Sequence, residues 1–525
     1  MSIKKYYANK DNTISNAFKE NLSTRATGSS MGQSDILEVF SVYGQTTTGS
    51  VELSRILLDF PVENNVTGEI KGDRTAGTIP ASGNVNFYLK LYNAKHSNTL
   101  PVAPTFNIAA LSQSWAEGSG TDMDNYEEEG ASNWLDRQTA VAWDEPGGLF
   151  HTASYNAGNN LPMYSTTMTN GYEDLEVDIT SLVEEWIAGT KPNYGLGVYL
   201  AATQEAYNSN SSGLNNRTDT GLLHNLLGVK ESYYTKKFFG RGTEFFFKKP
   251  AIEARWNESL EDDRSNFFYS SSLADGPSNL NTLYLYNYVR GELQDIPALD
   301  PANKYIYVQV YSGSANNTTP IGNPVNLCPV KKGSLWTTAT NNLTYVTGGH
   351  HETGIYTASV CLTSSPTPLT KIFDVWQTAA GLQLHTGSIK PTTISLAADY
   401  PIPDYYSNIT NLKSSYSPTE TARMRLYTRN KNWNPTIYTV AQAAAESNIV
   451  ENAYFKVTRI IDNLEIIPYG TGSDQYTKLS HDVSGNYFDL DMSLFEPGYM
   501  YGIKFVYKVN SDYREQTELF KFRVD

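Results

Sequence analysis

Val85-Asn86-Phe87-Tyr88-Leu89-Lys90-Leu91 sets apolar side chains at every second position with mostly polar ones between. That period of two marks an extended strand with one buried face, because successive side chains leave opposite sides of the backbone. The alternation returns in Lys304-Tyr305-Ile306-Tyr307-Val308-Gln309-Val310 and in Tyr501-Gly502-Ile503-Lys504-Phe505-Val506-Tyr507-Lys508-Val509. Ala81-Ser82-Gly83-Asn84, Gly348-Gly349 and Glu496-Pro497-Gly498 stand between such runs and favour turns. Short strands punctuated in this way predict β-sandwiches. Composition points the same way: 37 Tyr against 20 Phe and 8 Trp suits pleated strands whose faces are half wet.

The 525 residues predict three or four domains at roughly 100 to 200 residues each. With 40 Lys+Arg against 55 Asp+Glu the net charge is −15, so no basic field attracts nucleic acid or an anionic membrane. Hydrophobic residues at 40% are too many for disorder, and no apolar run reaches the ~20 residues of a membrane span. The opening MSIKKYYANKDNTISNAF lacks the apolar core of a secretory leader, which predicts synthesis in the cytoplasm without export. Cys328 and Cys361 are expected as two buried thiols rather than a disulfide.

One segment breaks the strand pattern. In Asp178-Ile179-Thr180-Ser181-Leu182-Val183-Glu184-Glu185-Trp186-Ile187-Ala188-Gly189, the apolar residues Ile179, Leu182, Val183 and Trp186 fall at i, i+3, i+4 and i+7. With Asp178 or Thr180 to cap its start and Gly189 to close its end, it predicts a short amphipathic helix at about 179–188.

A family resemblance is carried by a series of motifs in order. Asp11-Asn12-Thr13-Ile14, Ser54-Arg55-Ile56-Leu57-Leu58-Asp59-Phe60 and Trp115-Ala116-Glu117-Gly118 come first. Gly130-Ala131-Ser132-Asn133-Trp134 follows, with Trp143 and Pro146-Gly147-Gly148, then Asp178-Ile179-Thr180, Trp186-Ile187-Ala188-Gly189 and Asn193-Tyr194-Gly195-Leu196. Residues 8 to 256 thereby resemble the DNRLRE domain, which implies a jelly-roll-like sandwich that in some relatives binds polysaccharide. Lys236-Lys237-Phe238-Phe239-Gly240-Arg241-Gly242-Thr243-Glu244-Phe245-Phe246-Phe247 departs from the family's short terminal strand pair.

Beyond Trp256 the sequence reads as a linker and then as two similar units. Leu283 to Pro297 resembles Ala422 onward, Tyr305 to Tyr311 resembles Tyr454 to Thr458, and Gly354 to Val360 resembles Pro497 to Phe505. The expected chain is all-β: a DNRLRE-like sandwich (1–258), a linker (259–280) and two immunoglobulin-like sandwiches in tandem (281–395 and 396–525).

Chemistry-bearing residues are sparse. His350-His351-Glu352 is expected at a turn, since adjacent histidines diverge from a common metal. Asp122, Asp124, Glu127, Glu128 and Glu129 supply hard oxygens without a calcium-loop spacing and read as a solvated acidic loop. There is no phosphate-binding loop and no H-E-x-x-H. The reading is therefore non-enzymatic, with no metal and no cofactor. Contact candidates for a glycan or a partner are Tyr6, Tyr7, Trp115, Trp134 and Trp143, the three tryptophans being more easily explained as core.

Acidic Tyr/Thr/Asn-rich β modules in tandem, without an export signal, are similar to structural proteins of tailed-phage particles. That resemblance implies a virion protein that joins other virion proteins or copies of itself at capsid, collar or tail. Unpaired edges and the N-terminal arm around Tyr6 and Tyr7 are expected to add strands to a neighbour, so that truncating residues 1 to 10 weakens incorporation. A host surface polysaccharide is a further partner of that virion reading. A secreted or surface protein whose first domain binds alginate-like or capsular glycans, with the two repeats as spacers, is the alternative, and a glycan-degrading enzyme the third reading.

Overall fold

The computed structural model describes residues 2–525 except 44–50, 97–102, 124–130, 149, 152–163, 210–221, 231, 315, 330–342, 364–368, 395–402 and 434–446. Strands dominate, and the chain divides into two compact units. The first is Met1–Asn257 with Gly472–Tyr476; the second is Glu258–Thr471 with Thr477–Asp525.

The first unit contains β1 (Ile3–Tyr7), β2 (Lys10–Ser15), β3 (Ile36–Tyr43), β4 (Val51–Asp59), β5 (Asn86–Leu91), β6 (Thr105–Ala110), β7 (Asp136–Gln138), β8 (Val141–Ala142), β9 (Tyr164–Thr167), β10 (Leu175–Asp178), β11 (Leu196–Leu200), β12 (Ser232–Phe239) and β13 (Ala251–Arg255). One sheet runs β1-β13-β5-β10; the other runs β12-β3-β4-β11-β6-β9, with β2 also on β4. The orders β1-β13-β5-β10 and β4-β11-β6-β9 are those of a jelly roll, two Greek keys folded face to face. Period-two strands fill the space between: Phe87, Leu89 and Leu91 meet Ile56, Leu58, Ile108, Leu196 and Val198 in one core.

Helix α1 (Ile70–Thr75) has no amphipathic signature in sequence, whereas α2 (Thr180–Ala188) falls where the periodicity put a helix. Asp178 Oδ1 accepts from the Thr180 N–H at 2.9 Å, and Gly189 ends the helix with φ +71°. Leu182, Val183 and Trp186 enter the core, and the Ile179 N–H donates to the Phe87 carbonyl, pinning α2 to β5.

The second unit holds two sandwiches. The first has β14 (Phe268–Tyr269), β15 (Asn281–Tyr286), β16 (Tyr288–Val289), β17 (Glu292–Leu293), β18 (Ile306–Gly313), β19 (Ile321–Pro324), β20 (Val346–Glu352), β21 (Ile355–Val360), β22 (Lys371–Gln377), β23 (Gln383–Ile389) and β24 (Thr392–Thr393). The last has β25 (Tyr405–Ile409), β26 (Ser415–Tyr416), β27 (Thr421–Asn430), β28 (Ala453–Arg459), β29 (Glu465–Ile467), β30 (Ser480–Asp482), β31 (Gly485–Asp491), β32 (Met500–Val509), β33 (Asp512–Glu515) and β34 (Phe520–Val524). In the last sandwich β25-β27-β31-β30 faces β26-β34-β32-β28-β29. In the first, β15-β21-β20 and β19-β18-β22-β23 play the same parts and are joined where β18 meets β20. Both are immunoglobulin-like: one hairpin-linked set opposes another that carries the final strand.

Two sequence expectations change. Residues 259–280 are not a bare linker, because Phe267 and Tyr269 lie in a core of the second unit and β14 pairs in parallel with β24. The repeat also slips by one strand. Ile355–Val360 pairs with β15 as Gly485–Asp491 pairs with β27, whereas Met500–Val509 pairs with β28 as Lys371–Gln377 pairs with β18. The true counterpart of β21 is β31. Both β21 and β32 are apolar-alternating runs that follow a turn glycine, and only their partners tell them apart.

Candidate functional site

The sequence-nominated residues separate by burial. Trp134 and Trp143 are enclosed and Trp115 nearly so, in a second core on the outer side of the larger jelly-roll sheet, with Ile14, Leu53, Leu57 and Leu111. Trp115 Nε1 donates to the Tyr194 carbonyl and Trp143 Nε1 to that of Asn133. The Arg55 guanidinium lies over the Trp134, Phe150 and Tyr199 rings and pairs with Glu205. These rings hold a loop layer on the sheet. Tyr6 is buried too, its hydroxyl donating to Asp73 Oδ2 at 2.8 Å. Tyr7 alone of the five is exposed, at 36%. Nor is the N-terminus a free arm: β1 pairs with β13 from Ile3↔Arg255 to Tyr7↔Ala251, so a 1–10 truncation removes an edge of the molecule's own sheet.

The outer face of that sheet carries a ladder of charge. Lys5 sits opposite Glu253, Glu253 opposite Tyr88, and Lys90 opposite Glu176. Lys5 Nζ lies 3.0 Å from Glu253, and Arg255 bonds both Glu253 (2.6 Å) and Glu176 (3.0 and 3.2 Å), while Lys90 bonds Glu176. Burial pushes the Glu253 carboxyl up, but Lys5, Arg255 and Lys90 outweigh it and hold it down at about 2. The Arg255 guanidinium stacks on Tyr88 and Tyr476, and Asp474 accepts from Asn86 and Tyr88. The chain's own side chains thus close this sheet face.

A different face stays open. On β27 of the last sandwich, Arg423, Arg425, Tyr427 and Arg429 share one side, opposite the buried Ala422, Met424, Leu426 and Thr428. Arg423 grips Asp489 through two bonds of 2.8 Å, Arg425 grips Asp482 through two of 3.0 Å, and both guanidinium groups flank the Tyr487 ring. Arg429 differs. It forms no ion pair among the described residues, and its guanidinium lies 5.6 Å from each of the Tyr406 and Trp433 ring centres. Both rings are 47% exposed. Exposed Trp, Tyr and Arg in one patch form the composition that dominates protein-binding hot spots, and a stacked, uncommitted guanidinium suits a carboxylate. Sequence reasoning missed this patch because it weighed aromatics only in the first domain.

Other clusters are structural. Glu117 accepts from Arg241 Nε and Nη2 at 2.7 and 2.5 Å, and Asp11 accepts from the Arg241 N–H at 2.5 Å. Burial raises the Asp11 carboxyl; the Arg241 main-chain bond opposes that and Glu117 adds to it, leaving it at about 6 against an ordinary 3.8. Between about pH 4 and 6 the folded state therefore binds more protons than the unfolded one, and this group's contribution falls as pH rises. We predict that Asp11→Asn stabilises the chain by about 1–2 kcal/mol at pH 7.5, a gain lost below pH 4. Urea unfolding followed by tryptophan fluorescence at both pH values tests this; a variant weaker than wild type at pH 7.5 refutes it.

No G-x-S-x-G elbow is expected from the sequence reading, yet Gly28-Ser29-Ser30-Met31-Gly32 has that spacing. It lies between β2 and β3 rather than in a strand-to-helix turn, and the buried Ser30 hydroxyl donates to the Glu117 carbonyl. His350-His351-Glu352 does not form the turn itself but ends β20, with His350 Nε2 2.9 Å from Asp295. Asp124 to Glu129 lie outside the described residues. Cys328 and Cys361 are both buried and joined by a main-chain bond of 2.9 Å.

No family model and no curated protein matches the chain. Among solved structures it is similar to the N-terminal Ig1-2 module of the Drosophila receptor protein tyrosine phosphatase DLAR (7% identity, 47% of this chain and 90% of that one, TM-score 0.13). It is also similar to Salmonella alpha-2-macroglobulin reacted with methylamine (10% identity, 100% and 34% covered, TM-score 0.14) and to trypsin-activated alpha-2-macroglobulin from Escherichia coli (10%, 93% and 30%, TM-score 0.14).

Proposed function

We propose that this chain is a non-enzymatic structural protein of a virus particle, a tailed phage, and that it docks onto other virion proteins as a decoration, collar or tail component. The observation that supports this most is the open side of β27. Two arginines there are neutralised by the chain's own aspartates, while Arg429 stands between two exposed rings. Such a patch offers buried-contact area from Trp433 and Tyr406 and a forked donor for a partner's carboxylate. The patch lies on the last sandwich of the second unit, and the first unit resembles a carbohydrate-binding DNRLRE domain.

Particles assembled with an Arg429→Ala/Trp433→Ala chain are expected to carry at least ~10-fold less of it, with its unfolding transition unmoved. Unchanged occupancy would overturn the reading. So would a wild-type chain absent from purified particles but retained on a uronate-rich polysaccharide, the result expected of the polysaccharide-binding alternative.

A further inference from the structure

Among the described residues strand β23 ends its sheet, and the direction of its main-chain groups follows from the ladder beside it. The Val310 carbonyl accepts from Val325 on the far side of β18, so Tyr307, Gln309 and Tyr311 turn their groups toward β22, opposite Gln377, Val375 and Phe373. The alternate residues of β22, Ile372, Asp374 and Trp376, then point at β23 and meet Ile389, Gly387 and His385. Thr378 continues that series by donating to Leu382 at 3.0 Å. The N–H and C=O of Thr386 and Ser388 are therefore directed out of the sheet.

An open edge invites pairing, and proteins blunt theirs with charge, proline or cover. Strand β12 is longer but carries Lys236 and Lys237 and is bridged by the main chain at Tyr92 and Ala94. Strand β1 carries Lys4 and Lys5. Strand β34, which holds β23's place in the last sandwich, carries Lys521 and Arg523 and is paired by β26. Among the described residues β23, Gln383-Leu384-His385-Thr386-Gly387-Ser388-Ile389, is the longest terminal strand with neither a lysine, arginine or acid nor a proline. Its glycine has a separate cause: a Cβ on Gly387 would stand 2.4 Å from Oδ1 of the buried Asp374.

We propose that β23 pairs antiparallel with β23 of a second copy of this chain, about a two-fold axis at Gly387. Charge selects this occupant, since a lysine-bearing edge cannot oppose itself without repulsion whereas an uncharged one can. In this register Thr386 faces Ser388 of the second copy and Ser388 faces the second copy's Thr386, each pair exchanging its outward main-chain bonds. The interface is small, so its strength shows where many copies are arrayed together. It is independent of the β27 patch and of the virion reading.

Sedimentation of the full chain over about 10 to 200 µM is expected to show a concentration-dependent dimer. Thr386→Pro, which removes an outward donor without touching the internal ladder, is expected to weaken it at least ~10-fold, and Thr386→Val to leave it within about threefold. If the proline variant melts below wild type, Thr386→Lys replaces it with the same expected weakening. A wild-type chain that stays monomeric throughout, or a folded proline or lysine variant that dimerises like wild type, overturns the proposal.

Discussion

Replacing Glu253 by Ala is expected to speed hydrogen exchange of the β13 amides by at least ~100-fold, the signature of about 3–5 kcal/mol lost from a buried ion pair deprived of one partner. Three features set this size. Lys5, Glu253 and Arg255 each keep less than a tenth of their side-chain surface in water, so solvent screens their charges little. Glu253 stands between both cations, and its removal leaves Lys5 without its carboxylate. Among the described residues Arg255 retains Glu176 as its one carboxylate, and that side chain is 41% exposed. The cost belongs to the unpaired charge rather than to the bond. The double replacement Lys5→Met/Glu253→Met, which removes the stranded ammonium and restores apolar volume, should therefore recover more than half of the loss. Exchange in Glu253→Ala within tenfold of wild type, or a double variant as loose as the single one, would show that the ladder is solvated and the argument wrong.

That ladder also shows where sequence reading stops. Alternation placed Asn86, Tyr88 and Lys90 on one side of β5 and Phe87, Leu89 and Leu91 on the other, as found. It could not say that the first and last strands of the jelly roll are neighbours, so Lys5 and Glu253 looked unrelated. Local pattern fixes a strand's faces, and only pairing fixes what lies beside it. The slipped repeat has the same origin. Helix α2 was legible because its period, cap and terminal glycine all fall within twelve residues; α1 was not, because Ile-Lys-Gly-Asp-Arg-Thr has no such pattern and its buried Asp73 is held by Lys4 and Tyr6 from far away. The β27 patch was hidden because stacking around Arg429 joins residues of two strands and a turn.

Gly195→Ala is expected to cost more than about 4 kcal/mol and to drive most of the chain into insoluble material. Gly195 takes φ +83°, which an L side chain tolerates poorly, but that alone costs only about 1–2 kcal/mol. The larger cause is contact: a Cβ there would lie 2.1 Å from the Leu58 carbonyl oxygen and 3.1 Å from Asp59 Cα, all main chain of β4. Neither side can yield. Leu196 pairs with both Leu58 and Ala110, the Leu111 N–H donates to the Gly195 carbonyl, and Asn193 accepts from Gly195 while donating to the Phe60 carbonyl. Moving the glycine would open the centre of the larger sheet. Gly189→Ala supplies the control, since φ is +71° there and nothing stands within 4 Å of the added carbon, so strain acts without collision. It should lose only about 1 kcal/mol. Soluble yield and proteolysis rates of the two variants, measured side by side, decide the matter: if Gly195→Ala is as soluble and as protease-resistant as Gly189→Ala, the close approach of β11 to β4 is not what holds this corner.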